Sequence, residues 1–168
     1  MDIYERLMEE LEERNYIIHK GDEKGYEYLK KEGYSIEVLN DSQNEEDHLF
    51  IEYDETRYAL YHAGEFETYT PEFEEDVYVF LKDIKDILSG KKCSVKLFYN
   101  TDDFPKCMAG GFMKDKDVRG KDVDEIFRYV FLSKTLKDKL DVNGGRADFS
   151  YFDPSKNFVI DIEKKTKH

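Results

Sequence analysis

Hydrophobic and polar positions along this chain follow two periods. Ile3, Tyr4, Leu7, Met8 and Leu11 recur on one face of a 3.6-residue turn, while Glu5, Glu9, Glu10, Glu12 and Glu13 occupy the other faces. The spacing predicts an amphipathic helix over residues 2–14, with Asp2 as its N-cap. An additional short helix is expected near 22–31, weakened by Gly25 and stopped at Gly33. Tyr34, Ile36 and Val38 then alternate with polar neighbours, and the two runs after them are aromatic and aliphatic. Residues 34–39, 48–53 and 57–63 read as strands, the last two joined by the polar turn Asp54-Glu55-Thr56.

Thr70-Pro71-Glu72 reads as a helix start: a capping side chain, Pro at the first helical position, then acids in the first turn. Phe73, Val77, Phe80, Leu81, Ile84, Ile87 and Leu88 keep the helical period up to Gly90. Strands resume over 93–99 and 106–113. A third main helix is expected over about 123–140, with Ile126, Phe127, Val130, Phe131 and Leu136 on its apolar side. A closing hairpin pairs 146–152 with 157–162. The order is therefore α-β-β-β-α-β-β-α-β-β, and short turns between neighbouring strands imply antiparallel pairing. The expected fold is a single α+β domain over residues 1–162, mainly one antiparallel sheet with helices packed on one face. Residues 163–168 form a frayed tail.

Composition adds order and charge to this picture. The 13 Tyr and 12 Phe supply the bulky apolar groups that a disordered chain lacks. No apolar run is long enough to span a membrane, and the N-terminus has neither a basic nor an apolar leader. The expected location is the cytoplasm, with Cys93 and Cys107 reduced rather than bridged. The net charge of −13 repels nucleic acid and anionic membranes. Its placement is one-sided: residues 1–90 hold 26 acidic and 9 basic side chains, residues 91–168 hold 13 and 17. Residues 37–76 carry 14 acids against one base, Arg57.

Motifs for specific chemistry fail on inspection. Gly110-Gly111 and Gly144-Gly145 lack the Lys-Ser/Thr of a phosphate loop. Asp115, Asp117 and Gly120 imitate a calcium loop, but Ile126 stands where a bidentate Glu is required. His48 and His62 approach each other in one meander register, near Glu65 and Glu67, yet match no metal-ligand spacing. Cys93 beside Lys91 and Lys92 invites a nucleophile reading, against which stands an ordinary buried strand cysteine. Asp153 with Glu163 and Lys165 imitates a nuclease site, but Asp153 lies in a turn. No catalytic residue, metal or cofactor is expected.

What remains is the acidic window, where carboxylates interleave with aromatics. Glu45, Glu46, Asp47, Glu52, Asp54, Tyr58, Tyr61, Glu65, Phe66, Glu67, Tyr69, Glu72, Glu75 and Asp76 are the candidate partner-binding residues. Tyrosine supplies contact area and carboxylates steer a basic partner; a merely solvated face is the competing reading. The stretch from Tyr58-Ala-Leu-Tyr-His through Thr70-Pro71-Glu72, the helix ending Leu88-Ser89-Gly90-Lys91 and the strand at 93–99 together resemble a module of small acidic bacterial proteins. Some of those are immunity proteins of secreted polymorphic toxins. The resemblance implies a cytoplasmic, non-enzymatic inhibitor that covers a cognate toxin's active site. The acidic surface independently favours a basic, toxin-like partner, and a monomer or weak homodimer is expected. The alternatives are a nucleic-acid mimic that inhibits a DNA-binding defence enzyme, and an enzyme of unrecognised type using His62, Glu65, Glu67 and Cys93.

Overall fold

A computed structural model describes residues 3–127 and 134–165. The architecture is α+β, but its strands divide into two antiparallel sheets instead of the single one expected. The first sheet is a meander of β1 (Ile18–Lys20), β2 (Ile36–Val38), β3 (Leu49–Tyr53), β4 (Tyr58–His62) and β5 (Glu65–Tyr69), side by side in chain order. The second contains β6 (Lys92–Tyr99), β7 (Lys106–Lys114), β8 (Gly145–Ser150) and β9 (Phe158–Ile162), in the order β7-β6-β8-β9. Strands β1 and β5 are additions to the expected pattern.

The helices are α1 (Ile3–Glu13), α2 (Glu27–Lys31), α3 (Glu74–Leu88), α4 (Asp115–Val118), α5 (Val123–Phe127) and α6 (Lys134–Asn143). The expected N-cap Asp2, and Val130 and Phe131 of the third main helix, lie outside the described residues. Helix α3 begins at Glu74, later than the Thr70-Pro71 signal. Thr70 instead forms a turn, its carbonyl accepting from the Phe73 amide and its own amide donating to the Asp76 carboxylate.

Each sheet has its own core. Leu7, Met8 and Leu11 of α1 and Phe80, Ile84, Ile87 and Leu88 of α3 pack on Ile36, Val38, Leu49, Ile51 and Leu60. Val118, Ile126 and Leu140 pack on Cys93, Val95, Leu97, Ala147 and Phe149 of the second sheet. Strand β8 can lie this close to β6 only because it starts with glycine: a Cβ at Gly145 would stand 2.0 Å from the Phe98 carbonyl oxygen.

The sheets meet through polar side chains. The Lys92 ammonium lies 2.7 Å from Asp83 and 3.0 Å from Glu67, and the Tyr69 hydroxyl donates to Asp83 at 2.8 Å. His62 and Ser94 bond reciprocally: the hydroxyl donates to the His62 carbonyl and accepts from Nδ1, both at 2.8 Å. These contacts fix which way β5 faces, and so position the surface described next.

Candidate partner-binding face

Side chains alternate across a strand, so the core residues of β3–β5 define what the opposite face carries. Leu49, Ile51 and Leu60 point at α1 and α3. The intervening positions form a row: Phe50 stands opposite Tyr61, and Tyr61 opposite Phe66. Their ring centroids continue the row, with Tyr61 6.0 Å from Phe66 and Tyr34 4.7 Å from Phe50 and 5.0 Å from Tyr61. Phe66, on the last strand of the sheet, is 64% exposed.

Glu52 lies in the adjacent row with Ala59 and Thr68. It accepts from the Tyr61 hydroxyl at 2.8 Å and from Arg57, whose Nη2 is 2.7 Å from both carboxylate oxygens. Burial and the neighbouring Glu52 carboxylate push the Tyr61 hydroxyl up to about 12, so it remains a donor.

Phe50 is also opposite Glu37 on β2, and Glu37 opposite His19 on β1. Glu37 is buried, and it accepts from His48 Nδ1 at 2.7 Å, His19 Nδ1 at 3.0 Å and the Tyr28 hydroxyl at 2.5 Å. Burial pushes its carboxyl up, but the hydrogen bonds from Tyr28, His48 and His19 outweigh that and hold it below the usual carboxylate range. The node ties β1, β2, α2 and the start of β3 together, and it secures one end of the aromatic row. Replacing Glu37 by Ala should lower the unfolding free energy in urea by about 2–3 kcal/mol, because three donors lose a charged acceptor.

The candidate residues separate into distinct places. Glu52, Tyr61 and Phe66 share the open face. Glu45, Glu46 and Asp47 sit on a short 3₁₀ turn beside the β4–β5 turn, where the Ala63 amide donates to the Glu46 carbonyl. Glu72, Glu75 and Asp76 follow β5 at its other end, and Asp54 caps the β3–β4 turn through Thr56 and Arg57. These acids therefore flank the aromatic row at both strand ends, about 15 Å apart by strand rise. Glu45, Glu46, Glu72 and Glu75 are exposed and take part in no ion pair among the described residues.

Tyr58, Tyr69, Glu65 and Glu67 are elsewhere. Tyr58 and Tyr69 are 7% and 6% exposed and pack on Phe80 in the first core. Glu67 pairs with Lys92, and the Glu65 carboxylate rests on Gly110, where a Cβ would stand 2.0 Å from it. Burial pushes the Glu65 carboxyl up, against the opposing charge of Lys96. Both glutamates face the second sheet because β5 turns that side inward.

The residues weighed for chemistry are dispersed. His62 is opposite Leu49, so His48 and His62 lie on opposite faces of the sheet and do not approach. Cys93 faces the second core while the adjacent Ser94 faces His62, and burial pushes the Cys93 thiol up to about 11. Cys93 is opposite Met113 and Cys107 opposite Phe98, which leaves both thiols free. Asp153 caps a turn through Ser155, and Lys165 pairs with Asp141 at 3.1 Å, which also anchors residue 165 of the tail expected to fray. Asp115 accepts from the Tyr151 hydroxyl and pairs with Arg119. Among the described residues, no group of three or more His, Cys, Asp or Glu is arranged to hold a metal ion, and no helix is long and apolar enough to cross a membrane.

No family model, curated protein or solved structure matches the chain.

A concavity of about 490 Å³ lies between α1 and α3, lined by Arg6, Glu9, Glu13, Tyr78 and Lys82 among others. Its mixed charges give it no preference for a partner of either sign. The open face of β3–β5 differs because its one base, Arg57, is already bound to Glu52. Phe50 and Tyr34 belong to this face and were not among the candidates. The period-two spacing of Phe50 and Glu52 is the signal that would have found the first; Tyr34 joins only through the fold.

Proposed function

We propose that this protein is a non-enzymatic acidic binding protein, an immunity-type inhibitor that blocks a basic, toxin-like partner through the open face of β3–β5. The cross-strand row Phe50–Tyr61–Phe66 carries the reading. It offers rigid aromatic area in solvent, and interface centres are rich in such side chains. Exposed, unpaired carboxylates flank it on both sides, at the two strand ends, and a partner that binds phosphates must present the opposite charge. Long-range attraction then speeds encounter, while the aromatics set the lifetime of the complex.

The test is co-elution with the products of the flanking genes, among which a basic protein is expected, followed by titration calorimetry. Phe66→Ala should weaken the complex by about 2 kcal/mol, roughly thirtyfold, with urea stability unchanged because the ring is exposed. Affinity should also fall as salt rises from 50 to 300 mM. A complex indifferent to both changes, or the absence of any complex with a basic neighbour, refutes the proposal.

A further inference from the structure

Arg57 is the only Lys or Arg between positions 37 and 76, and it lies over Glu52, the carboxylate bonded to Tyr61 in the aromatic face. Glu52 is held from one side by the Tyr61 hydroxyl at 2.8 Å, and its side chain is only 13% exposed. Arg57 reaches it from the solvent side, with Nη2 2.7 Å from both oxygens and Nε 3.2 Å from one. Its own side chain is 51% exposed. A fixed carboxylate beside stacked rings matches a guanidinium on two counts: the planar fork of donors fits two carboxylate oxygens, and its flat face stacks on aromatics. A lysine ammonium satisfies neither geometry.

We infer that Glu52, Tyr61 and Phe66 form a guanidinium receptor for an arginine of the partner, and that Arg57 occupies it in the free protein. This rests on the binding reading given above. The Arg57 side of this pair is open to solvent, which screens its attraction, so another guanidinium can compete for the same carboxylate. A partner arginine brings what Arg57 lacks, namely burial of the pair under the partner and stacking over Tyr61 and Phe66. Displaced, Arg57 stays near Asp54 at the β3–β4 turn, whose charge already favours the guanidinium. Arg57 thereby sets a threshold that admits arginine and disfavours lysine.

Fluorescence titration of the full chain with nona-arginine and nona-lysine at 100 mM salt tests this without a known partner. The wild type should bind nona-arginine about tenfold more tightly than nona-lysine, in keeping with a bidentate, stacked contact. Arg57→Ala should tighten nona-arginine about threefold further than it tightens nona-lysine, the lysine peptide serving as the control for the lost charge. Glu52→Gln should bring the two peptides to within about twofold of each other. Equal binding of both peptides by the wild type, or an Arg57→Ala effect shared equally by both, overturns the receptor while leaving a cation-attracting face in place. Failure of both peptides to bind overturns the receptor together with the reading beneath it.

Discussion

Replacing Lys92 by Met lowers the unfolding free energy by about 3–5 kcal/mol, the largest loss expected from any single change at the junction between the sheets. The Lys92 side chain is 12% exposed and neutralises Asp83, itself 9% exposed, at 2.7 Å and Glu67 at 3.0 Å. Its ammonium also lies 5.6 Å from the centre of the Phe112 ring. Methionine keeps the aliphatic stem but leaves two carboxylates facing each other, with only the Tyr69 hydroxyl to satisfy Asp83. An uncompensated buried charge costs far more than the pair contributes when intact. Adding Asp83→Asn to Lys92→Met should therefore recover most of the loss, measured as the urea midpoint at constant slope. Equal losses in the single and double variants would show that Lys92 acts through packing alone. Because Lys92 holds β5 to the second sheet, the single variant should also weaken partner binding.

The second large effect is acid lability centred on His62. This side chain is 1% exposed, its Nδ1 is bonded to Ser94, and its Nε2 has no partner among the described residues. Burial pushes its imidazole down to about 4 from 6.5, only partly opposed by the charge of Asp47. The sign follows directly. Above pH 6.5 both folded and unfolded chains hold this histidine neutral, and it contributes nothing to pH dependence. Between 6.5 and 4 the unfolded chain takes up the proton first, so stability falls as pH falls, by about 3 kcal/mol over the whole interval. At pH 5 the loss is about 2 kcal/mol. Lowering pH also relieves repulsion among the acids, so the informative quantity is the difference from His62→Gln. Wild type should lose about 2 kcal/mol more than that variant between pH 7.5 and 5. Parallel curves would place the proton uptake elsewhere.

Local patterning made much of this fold legible. Alternation in β2, the aromatic and aliphatic runs of β3 and β4, the helical period of α1 and α3, and the turns between neighbouring strands predict those elements to within a few residues. Strand β1 has only three residues, too few for a period to register. Strand β5 escaped for a different reason. Glu65 and Glu67 occupy its inward face, where the sequence shows acids and the fold supplies Lys92 and Lys96 from the second sheet to meet them. An inverted pattern of this sort looks like a turn until its distant partners are known. The same long-range pairing decides that there are two sheets, since β5 meets β7 through Glu65 and Gly110 rather than through a ladder.

The candidate site divided along the same line. Glu52, Tyr61 and Phe66 share a face as their spacing across a short turn implies. Tyr58 and Tyr69 sit among acids in the sequence yet pack on Phe80, because their parity places them on the α3 side. A one-residue change of parity moves a side chain from surface to core, and the sequence around Tyr58 does not mark which side is which. Glu37 was counted among the acids but stood apart from the expected site. Its role depends on His19 and His48, which come together only when three strands are in register.

The most direct measurement is amide chemical-shift mapping of the isotope-labelled protein during titration with its basic partner. The account predicts that the largest perturbations fall on β3, β4 and β5, at Phe50, Glu52, Tyr61, Phe66 and Thr68. Perturbations concentrated instead in the groove between α1 and α3, around Glu9, Tyr78 and Lys82, with β3–β5 unmoved, would contradict it.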